Sequence, residues 1–112
     1  MQKKDTVKNN RYFNQIISEK NFLQNDYYTI YIKEKKIVSP QFGIAVSKKF
    51  GNAVVRNKLK RQLRSIIDQN RNLFANNYDY IIVLRKKCVA EQYQVLFDKL
   101  GNLLQKEKNE KK

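Results

Sequence analysis

The residues of this chain whose types and spacing could do chemistry are cations and aromatic rings. From Ser47 to Arg64 the sequence reads SKKFGNAVVRNKLKRQLR, and every charged residue in it is a lysine or an arginine. Wound as a helix at about 100° per residue, Val55, Leu59, Leu63 and Ile66 fall within an arc of about 80°, with Ile67 just beyond. The arc facing away carries Arg56, Asn57, Lys58, Lys60, Arg61 and Arg64. One face can pack on a core while the other forms a cationic ridge that only Asp68, one turn later, interrupts. Like charges four residues apart (Arg56 with Lys60, Lys60 with Arg64) repel by about 0.2–0.5 kcal/mol each, so helix stability alone does not account for the pattern. A phosphate backbone does, because each cation that neutralises a phosphate also releases a condensed counterion. Lys48, Lys49 and Asn52 lead into this helix. Asn52 can cap it, and the free N–H groups of a first turn favour an anion.

A second strip combines rings with charge. Residues 27–33 alternate, with Tyr28, Ile30 and Ile32 on one face and Tyr27, Thr29, Tyr31 and Lys33 on the other. Exposed rings beside a cation suit single-stranded nucleic acid, whose bases stack on them. The competing reading is that a first helix carrying Phe13 and Ile17 covers this face as ordinary core. Partial cover would leave a cleft between helix and sheet.

Other chemistries lack their residues. Histidine is absent and Cys88 stands alone, so His/Cys zinc sites, His-based triads and an internal disulfide are all excluded. Cys88 reads as a small packing residue in a reducing compartment. The ten acids are scattered along the chain, whereas two-metal phosphodiester chemistry needs them clustered.

The elements that must position these groups follow from periodicity. Residues 9–20 form a short amphipathic helix through Tyr12, Phe13, Ile16 and Ile17, and 21–26 read as a polar turn. Strands follow at 27–33 and 42–47, the second with Phe42, Ile44 and Val46 on one side and Gly43, Ala45 and Ser47 on the other. The basic helix spans about 52–70. The apolar run Tyr80–Leu84 is a central strand buried on both faces, and Val89 to Leu104 recur at three and four in a last helix. The expected class is α+β, one small sheet with covering helices, in the order helix–strand–strand–(strand)–helix–strand–helix. With 112 residues this is one domain, at 9–105, between a basic tail at 1–8 and a charged tail at 106–112. Lysine plus arginine number 24 against 10 acids, and the net charge of +14 calls for a polyanionic partner. No apolar run approaches the ~20 residues of a membrane span, and no secretory signal opens the chain.

The segment SKKFGNAVVRNKLKRQLR closely resembles the signature of the bacterial ribonuclease P protein subunit, which reads SKK-x-GNAV-x-RNR-[IL]-KR. The likeness extends to Phe13 in a short first helix, a strand ending in Tyr31 and the YDYIIVLR strand before a C-terminal helix. It spans about residues 7–105. The resemblance implies a left-handed crossover from strand through the basic helix to the next parallel strand, against the usual right-handed rule. It implies a cytoplasmic protein partner of a catalytic RNA, in a holoenzyme that removes the 5′ leader of precursor tRNA by metal-dependent hydrolysis. The RNA would carry the catalytic centre. The protein would bind no cofactor itself, with magnesium mainly at the RNA. By the same resemblance Phe13, Ile17 and Tyr31 line a leader-binding cleft, which Tyr27 and Lys33 join from the strand pattern. Lys48, Lys49, Asn52, Arg56, Asn57, Lys58, Lys60, Arg61 and Arg64 would meet the RNA subunit. Two positions depart from the signature. Lys58 replaces an arginine and loses the guanidinium fork, and Ile17 stands where a second cleft phenylalanine is common. The alternative is a ribosomal-type or general RNA-binding protein with no part in tRNA processing.

Overall fold

A computed structural model describes residues 6, 7 and 9–110. Its elements run α1 (Asn10–Ser18), β1 (Phe22–Gln24), β2 (Tyr28–Glu34), β3 (Phe42–Ala45), α2 (Ala53–Gln69), β4 (Tyr78–Leu84) and α3 (Tyr93–Glu110). Single 3₁₀ turns lie at Lys48–Phe50, Arg71–Leu73 and Lys86–Cys88. The strands form one sheet in the order β1-β2-β4-β3. β4 runs antiparallel to β2 and parallel to β3, so α2 is the crossover between two parallel neighbours. The class is α+β, as the periodicity predicts.

Period two in the strands and period 3.6 in the helices divide the apolar residues between two layers. Tyr28, Ile30, Ile32, Phe42, Tyr80, Ile82 and Leu84 point to one side of the sheet. There they meet Leu59, Leu63, Ile66 and Ile67 of α2 and Leu96, Leu100, Leu103 and Leu104 of α3. On the other side α1 builds a smaller cluster, in which Val7, Ile16 and Ile81 are buried and Tyr12, Phe13, Ile17, Tyr31 and Val83 are partly so. β4 serves both clusters, which is why its run from Tyr80 to Leu84 is continuously apolar. Cys88 is a packing residue as expected: it is fully buried, burial pushes its thiol up to about 11, and its Sγ donates to the Tyr27 carbonyl at 3.1 Å.

Buried Asp79 ties α1 to the sheet. Its carboxylate accepts from the Tyr12 hydroxyl at 2.5 Å and from the Gln41 backbone N–H at 2.9 Å, and it pairs with Lys35 Nζ at 2.7 Å. A buried charge is tolerable only when paired and hydrogen-bonded in this way. The same contacts fix the loop between β2 and β3.

Several expectations needed correction. The polar stretch 21–26 holds the short edge strand β1, whose register pairs Phe22 with Tyr31 and Gln24 with Thr29. Three residues are too few to show a period, and the ladder to β2 supplies what pattern does not. Thr6 and Val7, placed in a tail by composition, lie along β3. Thr6 forms a bridge with Phe42, and the Val7 N–H donates to the Phe42 carbonyl at 3.0 Å. Burial of Val7 in the α1 cluster accounts for this docking. α3 continues to Glu110 rather than ending at 105, through lysine and glutamate that favour helix. The remaining tail positions, 1–5, 8, 111 and 112, fall outside the described residues. Val55, assigned to the packed arc, is exposed in the first turn of α2 and belongs to neither buried cluster. Among the described residues no helix is long and apolar enough to cross a membrane.

Candidate nucleic-acid interface

The ridge is built from its first turn. Ser47 caps the Lys48–Phe50 turn by accepting from the Lys49 N–H, and Gly51 takes φ +143°, a left-handed value that a side chain strains to adopt. Asn52 then accepts from the Val55 N–H at 3.1 Å and starts α2. With Leu59, Leu63, Ile66 and Ile67 held in the core, the outward arc is fixed. Lys48, Lys49, Asn52, Asn57, Lys58, Arg61 and Arg64 are exposed, and Arg56 and Lys60 are half-buried. None of these cations has an acidic partner among the described residues; the ion pairs there use Lys33, Lys35, Arg71 and Lys87. The Arg56 Nε is buried with no hydrogen-bond partner. Val54, Asn57, Lys60, Arg61 and Arg64 line a shallow groove along the helix.

The second part of the site is the α1 side of the sheet. Pairing registers place Phe22, Tyr31, Ile81 and Gly43 in one row across all four strands. The next row is Gln24, Thr29, Val83 and Ala45. α1 covers only part of these rows: Ile16 and Ile81 are fully buried, while Phe13, Ile17, Tyr31, Thr29, Val83 and Ala45 stay half-buried. The outcome is the partial cover that leaves a cleft. Phe13 lies over Gly43, close enough that a Cβ there would meet its ring at 2.7 Å.

Ridge and cleft join at β3. β3 is an edge strand, and α2 leaves it to cross the opposite face of the sheet. Lys60 and Arg64 nonetheless reach around that edge. They line a cavity of about 130 Å³ together with Thr6, Val7, Phe13, Phe42, Gly43 and Ile44. A strand with bases on the rings can therefore hold its phosphates against the ridge without leaving the surface.

Two cleft assignments change. Tyr27 is not in the cleft. The Asn25 side chain accepts from the N–H groups of Tyr27 and Tyr28, both at 2.8 Å, and this bend ends the alternation one residue before β2. The Tyr27 ring consequently packs with the α3 side of the sheet. Its hydroxyl donates to Glu91 at 3.2 Å, and Lys99 and Lys87 lie over its face at 5.5 and 5.9 Å. Lys33 is on the cleft face but is paired with Glu19 at 2.7 Å, closing the end of α1 against β2. Sequence reasoning missed Phe22. It is 43% exposed, and its ring centroid stands 5.4 Å from that of Tyr31. A lone aromatic in a polar stretch was the available signal. Among the described residues no three histidine, cysteine or acidic side chains gather where they could hold a metal ion.

Comparison with known proteins bears on the family and the fold. The family model described as Ribonuclease P matches residues 1–108. The chain is similar to the ribonuclease P protein component of Mycoplasma mycoides subsp. mycoides SC, with 40% identity over 105 residues, which cover 93% of this chain and 96% of that protein. Against the Thermotoga petrophila component the identity is 34% over 108 residues, 93% and 92% of the two chains. Among solved structures, the ribonuclease P protein of Thermotoga maritima superposes with a TM-score of 0.81 at 31% identity, over 90% of this chain and 96% of that one. The Staphylococcus aureus protein gives 0.82 at 28%, over 90% and 93%.

Proposed function

The chain belongs to the ribonuclease P protein family, and from that premise we propose that it binds the catalytic RNA of ribonuclease P with its α2 ridge and the 5′ leader of precursor tRNA in the cleft under α1. In this reading it works in the cytoplasm as the subunit that holds the substrate, and the RNA hydrolyses the phosphodiester. Magnesium acts mainly at the RNA.

The observation that carries the proposal is the continuity of the surface around β3. Phe13 and Gly43 belong to the cleft and Lys60 and Arg64 to the ridge, yet all four line one cavity. A general RNA-binding protein needs a basic surface. It has no need of a half-covered aromatic cleft opening directly onto one.

Reconstitution with a bacterial ribonuclease P RNA at low magnesium tests the whole proposal. The protein should speed cleavage of precursor tRNA, and the protein without RNA should cleave nothing. The cleft is tested by Tyr31→Ala. If the ring stacks on a leader base, precursor affinity of the holoenzyme falls by about 1–3 kcal/mol while mature tRNA, which has no leader, binds as before. If Tyr31 is core alone, the loss is instead about 3–5 kcal/mol of folding stability, and both RNAs suffer equally. Equal loss for both RNAs by a stably folded variant refutes the cleft.

A further inference from the structure

We infer that Phe22 is a further stacking position of the same cleft, holding a leader base one step beyond Tyr31 on the side away from the ridge. The inference rests on the leader-cleft reading above and adds to it a residue, a direction and a dependence on leader length.

The row Phe22–Tyr31–Ile81–Gly43 crosses the sheet perpendicular to the strands. At ~4.8 Å between neighbouring strands its ends lie ~14 Å apart. Lys60 and Arg64 stand at the Gly43 end, where Phe13 covers Gly43 and Ile81. Tyr31 follows, and Phe22 closes the row on the edge strand. The two rings are tilted by 53° at 5.4 Å, so each leaves part of its face free. Phe22 is 43% exposed and Tyr31 half-buried. Ile17, which borders the cleft from α1, offers no ring. Lys33, on the same face of β2 as Tyr31, is paired with Glu19.

An exposed phenylalanine is an unusual choice for an edge strand, which is ordinarily protected by charge or by shortness. Core packing does not account for it, since Phe22 belongs to neither buried cluster. A protein partner fits poorly too. Such an interface takes ~800 Å² from each side, whereas this patch is two rings among polar and basic residues. One nucleobase matches one ring face in size, and stacking needs no sequence-specific partner. The cleft thus runs from phosphates held near Gly43 to bases stacked outward over Tyr31 and Phe22. Phe22 meets only leaders long enough to pass Tyr31.

The test uses holoenzyme assembled with a bacterial ribonuclease P RNA and precursor tRNAs carrying leaders of increasing length. Phe22→Leu keeps the apolar bulk and removes the ring, and Phe22→Tyr restores it. For wild type and Phe22→Tyr, affinity should rise with leader length to a last increment. Phe22→Leu should lose that increment, about fivefold or more, and match wild type on the shortest leaders and on mature tRNA. Denaturation midpoints of the variants should agree with wild type. A Phe22→Leu holoenzyme that binds long leaders as tightly as wild type overturns the inference, as does one that loses all RNAs equally. Tyr31→Ala run alongside separates the two levels. If it discriminates precursor from mature tRNA and Phe22→Leu does not, only Phe22 is wrong. If neither discriminates, the cleft reading itself has failed. Dimerisation of wild type that Phe22→Leu abolishes, with leader affinity unchanged, would assign the ring to a second copy of the chain instead.

Discussion

Gly43 shows how one missing side chain shapes the cleft. A Cβ there would stand 2.6 Å from Ile81 Cδ1 and 2.7 Å from Phe13 Cε2, closer than any real contact. Gly43→Ala must therefore displace the Phe13 ring. We expect a loss of about 1–3 kcal/mol in stability, read from the denaturation midpoint, as for other overpacked sites. Because the displaced ring is a wall of the cleft, precursor affinity should fall further than mature affinity. A change in stability with the ratio of the two affinities untouched would mean that Phe13 packs without touching the leader. At this scale alternation was a sound guide within β2, where it put Tyr31 opposite Ile30 and Ile32. It failed at Tyr27, because a side-chain cap from Asn25 reverses the chain one residue too early.

The elements divide by how much pattern they carry. α1, α2, β4 and α3 declare themselves through apolar residues repeated over several turns or a full strand. β1 is three residues long and exists because β2 offers it a ladder. Asn52 was assigned both as a cap and as an RNA contact, and the two roles separate experimentally. Its side chain accepts from the Val55 N–H, so Asn52→Ala should cost about 1 kcal/mol of stability. Since no cation is removed, the salt dependence of RNA binding should not change. An affinity loss well beyond the stability loss would show that Asn52 also touches RNA.

For the molecule as a whole, the net charge of +14 argues for a polyanion without saying where it binds. In the proposed reading the sorting of cations points to α2. Lys33, Lys35 and Lys87 are paired with acids, while the α2 ridge has no acidic partner among the described residues. Lys60→Glu combined with Arg64→Glu should weaken binding to the RNA subunit and leave the fold intact, since neither is part of the core. If each cation contacts one phosphate, the slope of log affinity against log salt should become shallower by ~2. An unchanged slope would move the interface off this face. Both residues also line the cavity beneath Phe13, so precursor binding should share the loss.

By itself the sequence determined the class of fold, the two faces of α2, the central position of β4 and the family signature. Each of these is written in repeated local choices: a helix must bury one side, a central strand both, and the outward arc of α2 carries cations without acids from Arg56 to Arg64. Only the tertiary structure decided what those faces meet. The docking of Thr6 and Val7 along β3, the row that brings Phe22 beside Tyr31 and the reach of Lys60 and Arg64 to Phe13 join residues far apart in the chain. No period records such contacts. They follow from strand register and from which edge a helix crosses, and both are set when the whole sheet closes on its two clusters.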